Sequence, residues 1–143
     1  MKKFIILIII LISILAIISY IYVDYKITYN QAMEVNRKFE RYENKEIEGT
    51  ELATILNFAV DTNSKNNIQK DNDGKYIDDG KNSIEIEINI TDNNTIYDME
   101  TIYDGQIERF VQNYGKIKFI CRDVQYHKST NKIKYMLFEQ MTN

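Results

Sequence analysis

The chain has 143 residues and a formal net charge of −3. Lys2 and Lys3 precede a long apolar run, so the other 16 basic residues stand against 21 acidic ones and positions 24–143 carry −5. That balance excludes the clustered cationic stripe of a nucleic-acid groove. One cysteine, Cys121, excludes an intramolecular disulfide, and with His127 as the one histidine a Cys/His zinc site lacks ligands.

Phe4 to Val23 is a run of 20 residues without a charge. At about 1.5 Å per residue it spans about 30 Å, the thickness of a bilayer's hydrocarbon layer. In lipid the backbone must satisfy its own hydrogen bonds, so the segment is expected to be helical despite its many isoleucines. A cleaved secretory signal also begins with positive charge and an apolar stretch. Here the stretch exceeds the usual length of about 7 to 15 residues, and bulky Tyr20, Ile21 and Tyr22 stand where small residues would permit cleavage. The expectation is a retained anchor over residues 1–23 whose residues 4–23 contact membrane lipid. Lys2 and Lys3 put the amino terminus in the cytoplasm, Tyr20, Tyr22 and Tyr25 form an outer aromatic belt, and the remaining 120 residues form an extracytoplasmic domain.

From Asp24 to Glu48 neither Gly nor Pro occurs, and Tyr25, Thr28, Ala32, Val35, Phe39 and Tyr42 follow at alternating spacings of three and four. This is a helical seam. It predicts one rod from about Lys3 to Ile47, with residues 24–48 as its exposed amphipathic continuation, Gly49 as its stop and Thr50 as the cap of a second helix. Leu52, Ile55, Leu56, Ala59 and Val60 mark that helix's apolar face, and the polar stretch 61–67 ends it. The charges interleaved over 34–48, among them Lys38 and Arg41, read as a solvated face.

Past Asn67 the apolar period becomes two. Ile84, Ile86, Ile88 and Ile90 alternate with Glu85, Glu87 and Asn89, a strand with one buried side, and the turn at 92–94 leads into a second strand from Thr95 to about Thr101. Ile107, Phe110, Val111 and Tyr114 predict a short helix opened by Asp104 and closed by Gly115. Two last strands, Lys116 to His127 and Lys132 to Gln140, flank a four-residue turn, with a bulge expected near Arg122 and Asp123 where the apolar phase slips. The fold class is α+β, with a small antiparallel sheet and two short helices in the unit 49–143.

Few residues invite chemistry. Asp71-Asn72-Asp73-Gly74, with Asp78 and Asp79, has the oxygen donors calcium favours, but with Gly74 in sixth position of an EF-hand loop Gly80 would fall where a bidentate glutamate is required. A β-turn, with room for loose calcium, is the plainer reading. Cys121 continues a buried phase and His127 is expected to be solvated at a hairpin end. No Walker loop, dinucleotide fingerprint, serine elbow or metal-binding helix appears, so no enzyme activity, cofactor or metal is expected.

A charged start, an apolar helix running unbroken into an amphipathic half, and a small sheet together resemble the type IV pilin and pseudopilin families. Gly49-Thr50-Glu51-Leu52-Ala53 is similar to small TadE-like proteins of tight-adherence pilus systems. Met1-Lys2-Lys3-Phe4 departs from the pilin pattern, with no glycine before the apolar segment and no glutamate early in it. The resemblance implies a non-enzymatic minor assembly component meeting copies of itself or secretion and pilus subunits. In that reading the seam residues Ala32, Val35, Phe39 and Tyr42 are the expected interaction residues, with Val35, Phe39 and Tyr42 left partly exposed. Phe39→Glu would then abolish assembly yet leave the outer domain folded. The alternative is a membrane-tethered binding or sensing domain whose own sheet covers the seam.

Overall fold

The computed structural model describes residues 2–92, 94–105 and 107–142. Helix α1 runs unbroken over Lys2–Phe39. Every residue from Lys2 to Ile27 is exposed, Thr28 is the first partly covered one, and Ala32 is the first buried one. The rod stops short of the expected Ile47: it tightens into a 3-10 turn at Glu40–Tyr42, and the chain turns at Asn44, whose φ of 54° no helix accommodates. Glu46–Glu48 forms strand β1 instead, with Ile47 paired to Phe119 in the sheet and buried. Cross-strand pairing outweighs helix propensity here, so residues 46–48 belong to the sheet unit.

Helix α2 spans Gly49–Lys65. Gly49 is therefore its first residue rather than the stop of α1, and Thr50 lies inside it instead of capping it. Glycine is required by proximity: a β-carbon on Gly49 would lie 2.0 Å from the Tyr114 carbonyl oxygen, and the Gly49 amide donates to the Ile117 carbonyl at 2.9 Å. Leu52, Ile55, Leu56, Ala59 and Val60 are all buried, as their spacing requires. The helix continues past Asp61 because Thr62 Oγ1 donates to the Phe58 carbonyl at 2.7 Å and the Asn63 side chain is used inside the molecule.

The sheet has the order β1-β4-β5-β2-β3. Strands β2, Glu85–Ile90, and β3, Thr95–Asp98, form the expected antiparallel hairpin. Strands β4, Lys118–Tyr126, and β5, Ile133–Gln140, form a second, whose register shifts between Cys121 and Asp123, where the bulge was expected. The two hairpins join through β2 and β5, which are parallel, so the sheet is mixed and not purely antiparallel. Asp98 accepts the Thr101 amide at 2.9 Å and so ends β3 and caps α3, Met99–Asp104; α4 follows at Ile107–Tyr114. This helical pair forms the crossover connection that carries the chain from one hairpin to the other.

Two buried asparagines fix where the parallel strands begin. On α1, Asn36 donates through Nδ2 to the Asn131 carbonyl at 2.7 Å and accepts the Ile133 amide at 2.9 Å. On α2, Asn63 donates to the Ile84 carbonyl and accepts the Ile84 amide, both at 2.8 Å. Each carboxamide presents a donor and an acceptor, as a neighbouring strand would, at the start of β5 and of β2. The helices therefore dock on the sheet by directional bonds as well as by apolar burial. Ile84, Ile86, Ile88, Ile90, Phe119, Cys121, Ile133, Met136 and Phe138 line the covered face, packed with Phe39, Leu52, Leu56, Ala59 and Met99. Glu85 and Arg122 lie exposed on the opposite face, with Glu87, Leu137 and Glu139 half-buried there.

Four residues of the described chain other than glycine have φ near +55°, and all are asparagine: Asn44, Asn67, Asn94 and Asn131. The asparagines carry turns that glycine would otherwise make.

Candidate interaction site

Of the four residues expected to meet partners, Ala32, Phe39 and Tyr42 are buried by the chain's own domain and Val35 is half-buried against it. Phe39 has no exposed surface and packs on Phe58 of α2 with ring centroids 5.1 Å apart. The seam is an internal joint. The same face continues towards the amino terminus as Tyr29 and Tyr25, both exposed and stacked on each other at 6.3 Å.

Beside this joint lies a cleft of about 350 Å³, lined by Lys38, Phe39, Arg41, Tyr42, Thr54, Ile55 and Phe58. Its wall is apolar because α2 presents Ile55 and Phe58 to the end of α1. Its rim is cationic: Lys38 Nζ lies 4.6 Å from the Phe58 ring centroid, and the Arg41 guanidinium lies 4.6 Å from that of Tyr42, to whose hydroxyl it also donates. Lys38 has one carboxylate neighbour, Glu34 at 3.7 Å on an exposed flank. Among the described residues no carboxylate lies within 4.0 Å of Arg41 or of Lys45, which continues the groove next to Arg41, although Glu46 and Glu51 line that groove farther off. Reading Lys38 and Arg41 as a solvated face missed this, because Phe58 stands off the main apolar stripe of α2. The available signal was the spacing Lys38, Arg41, Lys45, three cations at intervals of three and four.

A second cluster gathers Asp78, Asp79 and His127, whose potential ligand atoms lie within 4.8 Å of one another. His127 is buried rather than solvated, because the hairpin tip folds over it: Ser129 Oγ donates to the Gly80 carbonyl at 2.6 Å and Thr130 Oγ1 to the Lys81 carbonyl at 2.7 Å. Its Nε2–H donates to the Ser83 carbonyl at 2.7 Å, and Nδ1 faces Asp78 Oδ1 at 3.8 Å. The carboxylates are already engaged. The Lys134 ammonium sits 2.7 Å from Asp78 Oδ2 and, with the Gly80 amide, holds that carboxyl below the usual range. Burial alone would raise the Asp79 carboxyl, but the amides of Asn82, Ser83 and Lys81 outweigh it and bring it to about 2. This cluster clasps the loop 78–83 to the β4–β5 hairpin.

The neighbouring Asp71 turn is a local structure too, with Asp71 Oδ1 accepting the Asp73 and Lys75 amides at 2.9 Å each and Gly74 at φ 81°. Cys121 is buried, and burial followed by the Glu43 carboxylate pushes its thiol up to about 11, so it is the inert core residue its strand phase predicts.

The long amino-terminal helix is apolar enough and long enough to cross a membrane or to serve as a signal sequence. No family model matches the chain, and it matches neither a curated protein nor a solved structure.

Proposed function

We propose that this chain is a single-pass, non-enzymatic membrane protein, with residues 4–23 retained in the bilayer, its amino terminus in the cytoplasm and its α+β domain held outside as a tethered binding domain. The observation that carries the reading is the change of surroundings along one helix. Residues 2–27 are exposed on every side, an apolar surface that lipid would cover, whereas Ala32, Phe39 and Tyr42 are consumed by the chain's own core. A seam closed in this way is not free to meet neighbouring copies along its length. The belt of Tyr20, Tyr22 and Tyr25 marks the outer edge of the anchor.

Assembly in the manner of pilins stands as a second reading, favoured by the 26 exposed residues Lys2–Ile27 that form an unbroken helical surface for neighbouring copies. Cross-linking intact cells and analysing the isolated membranes by mass spectrometry separates the two. The tethered domain gives a full-length chain with an intact amino terminus, joined to a distinct protein and retained in membranes after alkaline extraction. A ladder of self-linked products, or pilus-system subunits in the adducts, would move the assignment to assembly, and a processed chain released in soluble form would overturn both.

A further inference from the structure

We propose that the cleft between the end of α1 and α2 is a docking site for an acidic peptide segment of a partner protein, anchored by one aromatic or large aliphatic side chain. The proposal rests on the tethered-domain reading and names the partner chemistry. The floor is apolar, with half-buried Phe58 at its surface and buried Phe39, Ile55 and Tyr42 behind it, and a cleft of about 350 Å³ holds one large side chain with its flanking backbone. Among the described residues no carboxylate lines it. Lys38 and Arg41 overhang the floor through cation–π contacts, so a carboxylate arriving beside the anchor meets charges poised at the edge of an apolar surface. Arg41 and Lys45 have no acidic neighbour within 4.0 Å among the described residues, in an outer region whose net charge is −5. Lys38 and Arg41 are the charged residues that line the cleft itself, and a cleft edged by positive charge on an acidic domain selects an acidic partner and repels a basic one.

Position excludes one other source of negative charge. Lys38 lies 15 residues beyond Val23 along α1, roughly 20 Å outside the end of the apolar run at the helical rise. The headgroups of the membrane that holds the anchor lie below the cleft. The requirement is a protein segment reaching the domain from the side or from above.

The test is an NMR titration of the full chain in phospholipid nanodiscs with the acetylated, amidated pentapeptide Asp-Glu-Phe-Glu-Asp, its charge-reversed form Lys-Arg-Phe-Arg-Lys, and sodium octanoate. The acidic peptide is expected to shift the amides of Thr54, Ile55 and Phe58, with an affinity that falls as salt shortens the Debye length. Arg41→Gln should weaken it about fivefold, the loss of one charge-assisted contact worth about 1 kcal/mol. Glu34→Gln, which frees Lys38 from its acidic neighbour, should tighten it about twofold, an effect a structural role for Lys38 would not produce. Equal shifts from the basic peptide, no shift from either, or an affinity unchanged in Arg41→Gln would overturn the proposal. So would tighter binding of octanoate, which assigns the cleft to a free amphiphile, or concentration-dependent shifts of the same amides without peptide, which assign it to a second copy. Failure here leaves the cross-linking result intact, so the two readings fall separately.

Discussion

Helix α1 contains two regions that share a backbone and differ in everything that surrounds it. Up to Ile27 each apolar side chain is exposed; from Ala32 to Phe39 the covered side of the helix is part of the domain core. In the first region the side chains pack against nothing in the chain, so on the proposed anchor reading their identity hardly matters beyond being apolar. In the second, spacing decides: Ala32, Asn36 and Phe39 are buried while Met33, Glu34, Arg37 and Lys38 between them are exposed. The comparison teaches that helix continuity carries no information about solvent. The helix is continuous because no glycine or proline interrupts it, and its two surroundings meet where the domain begins to cover it, between Thr28 and Ala32.

The largest test of this division is a matched pair of glutamates. Phe39→Glu puts an unpaired carboxylate where Phe39 now has no exposed surface, and is expected to cost at least about 4 kcal/mol, a large part of the 5–15 kcal/mol available to a small domain. Loss of near-ultraviolet circular dichroism and rapid proteolysis of residues beyond 48 should follow. This reverses the expectation of an exposed seam, in which the same change spared the fold. Ile12→Glu, at a position 60% exposed, should leave the domain's melting temperature unaltered while adding about 3 kcal/mol to the cost of insertion in the bilayer. A folded Phe39→Glu domain, or an Ile12→Glu domain that melts early, would erase the boundary.

A smaller effect sharpens the way the covered region is attached. Asn36→Ala deletes both side-chain bonds to the β4–β5 hairpin and leaves the Ile133 amide and Asn131 carbonyl unpaired, at an expected cost of about 2–3 kcal/mol. Asn63→Ala should cost a similar amount at the start of β2. Chemical denaturation of each variant in detergent would measure this, and hydrogen exchange should locate the faster opening at the start of β5 in the first and of β2 in the second. Uniform loosening of the sheet in both would argue against local pinning.

The sequence made the long apolar helix, the α2 face, the β2–β3 hairpin and the bulge after Cys121 legible, because each depends on a period or a run that the neighbours of a residue define. The parallel pairing of β2 with β5 was not legible, since an alternating strand reads alike beside either kind of neighbour. Asn36 and Asn63 lie on otherwise apolar helical faces and could have been noticed there as buried polar groups in need of partners, but the partners are 97 and 21 residues away. His127 was misplaced for the same reason: its cover comes from a hairpin tip held by Gly80 and Lys81, which no local pattern announces. The cleft at Lys38 and Arg41 required knowing that Phe58 faces the end of α1, a tertiary fact. Its charges were visible while its floor was not.

The smallest expected effect uses acid to separate the two regions of α1 without mutating either. Between Lys2 and Gln31 the sole acidic residue is Asp24, whereas the domain holds the clasp of Asp78 and Asp79. Both carboxyls are depressed in the folded state, Asp78 by Lys134 and the Gly80 amide, Asp79 to about 2 by the loop amides against the opposing pull of burial. A depressed folded pKa contributes stability above the unfolded value near 4 and loses it as pH falls through the folded one, so the window lies between about pH 4 and pH 2. Because both groups are largely exposed, solvent screening reduces the contribution to about 1 kcal/mol, or a few degrees in the melting temperature of a domain this size. Asp79→Asn should therefore melt a few degrees below the parent near pH 6, and the gap should close as pH approaches 2. On the proposed anchor reading, helix signal from residues 2–27 should persist throughout. A gap that widens on acidification would show that the Asp79 carboxylate is not what the loop amides stabilise, and loss of the anchor's helix in the same window would show that the two regions unfold as one.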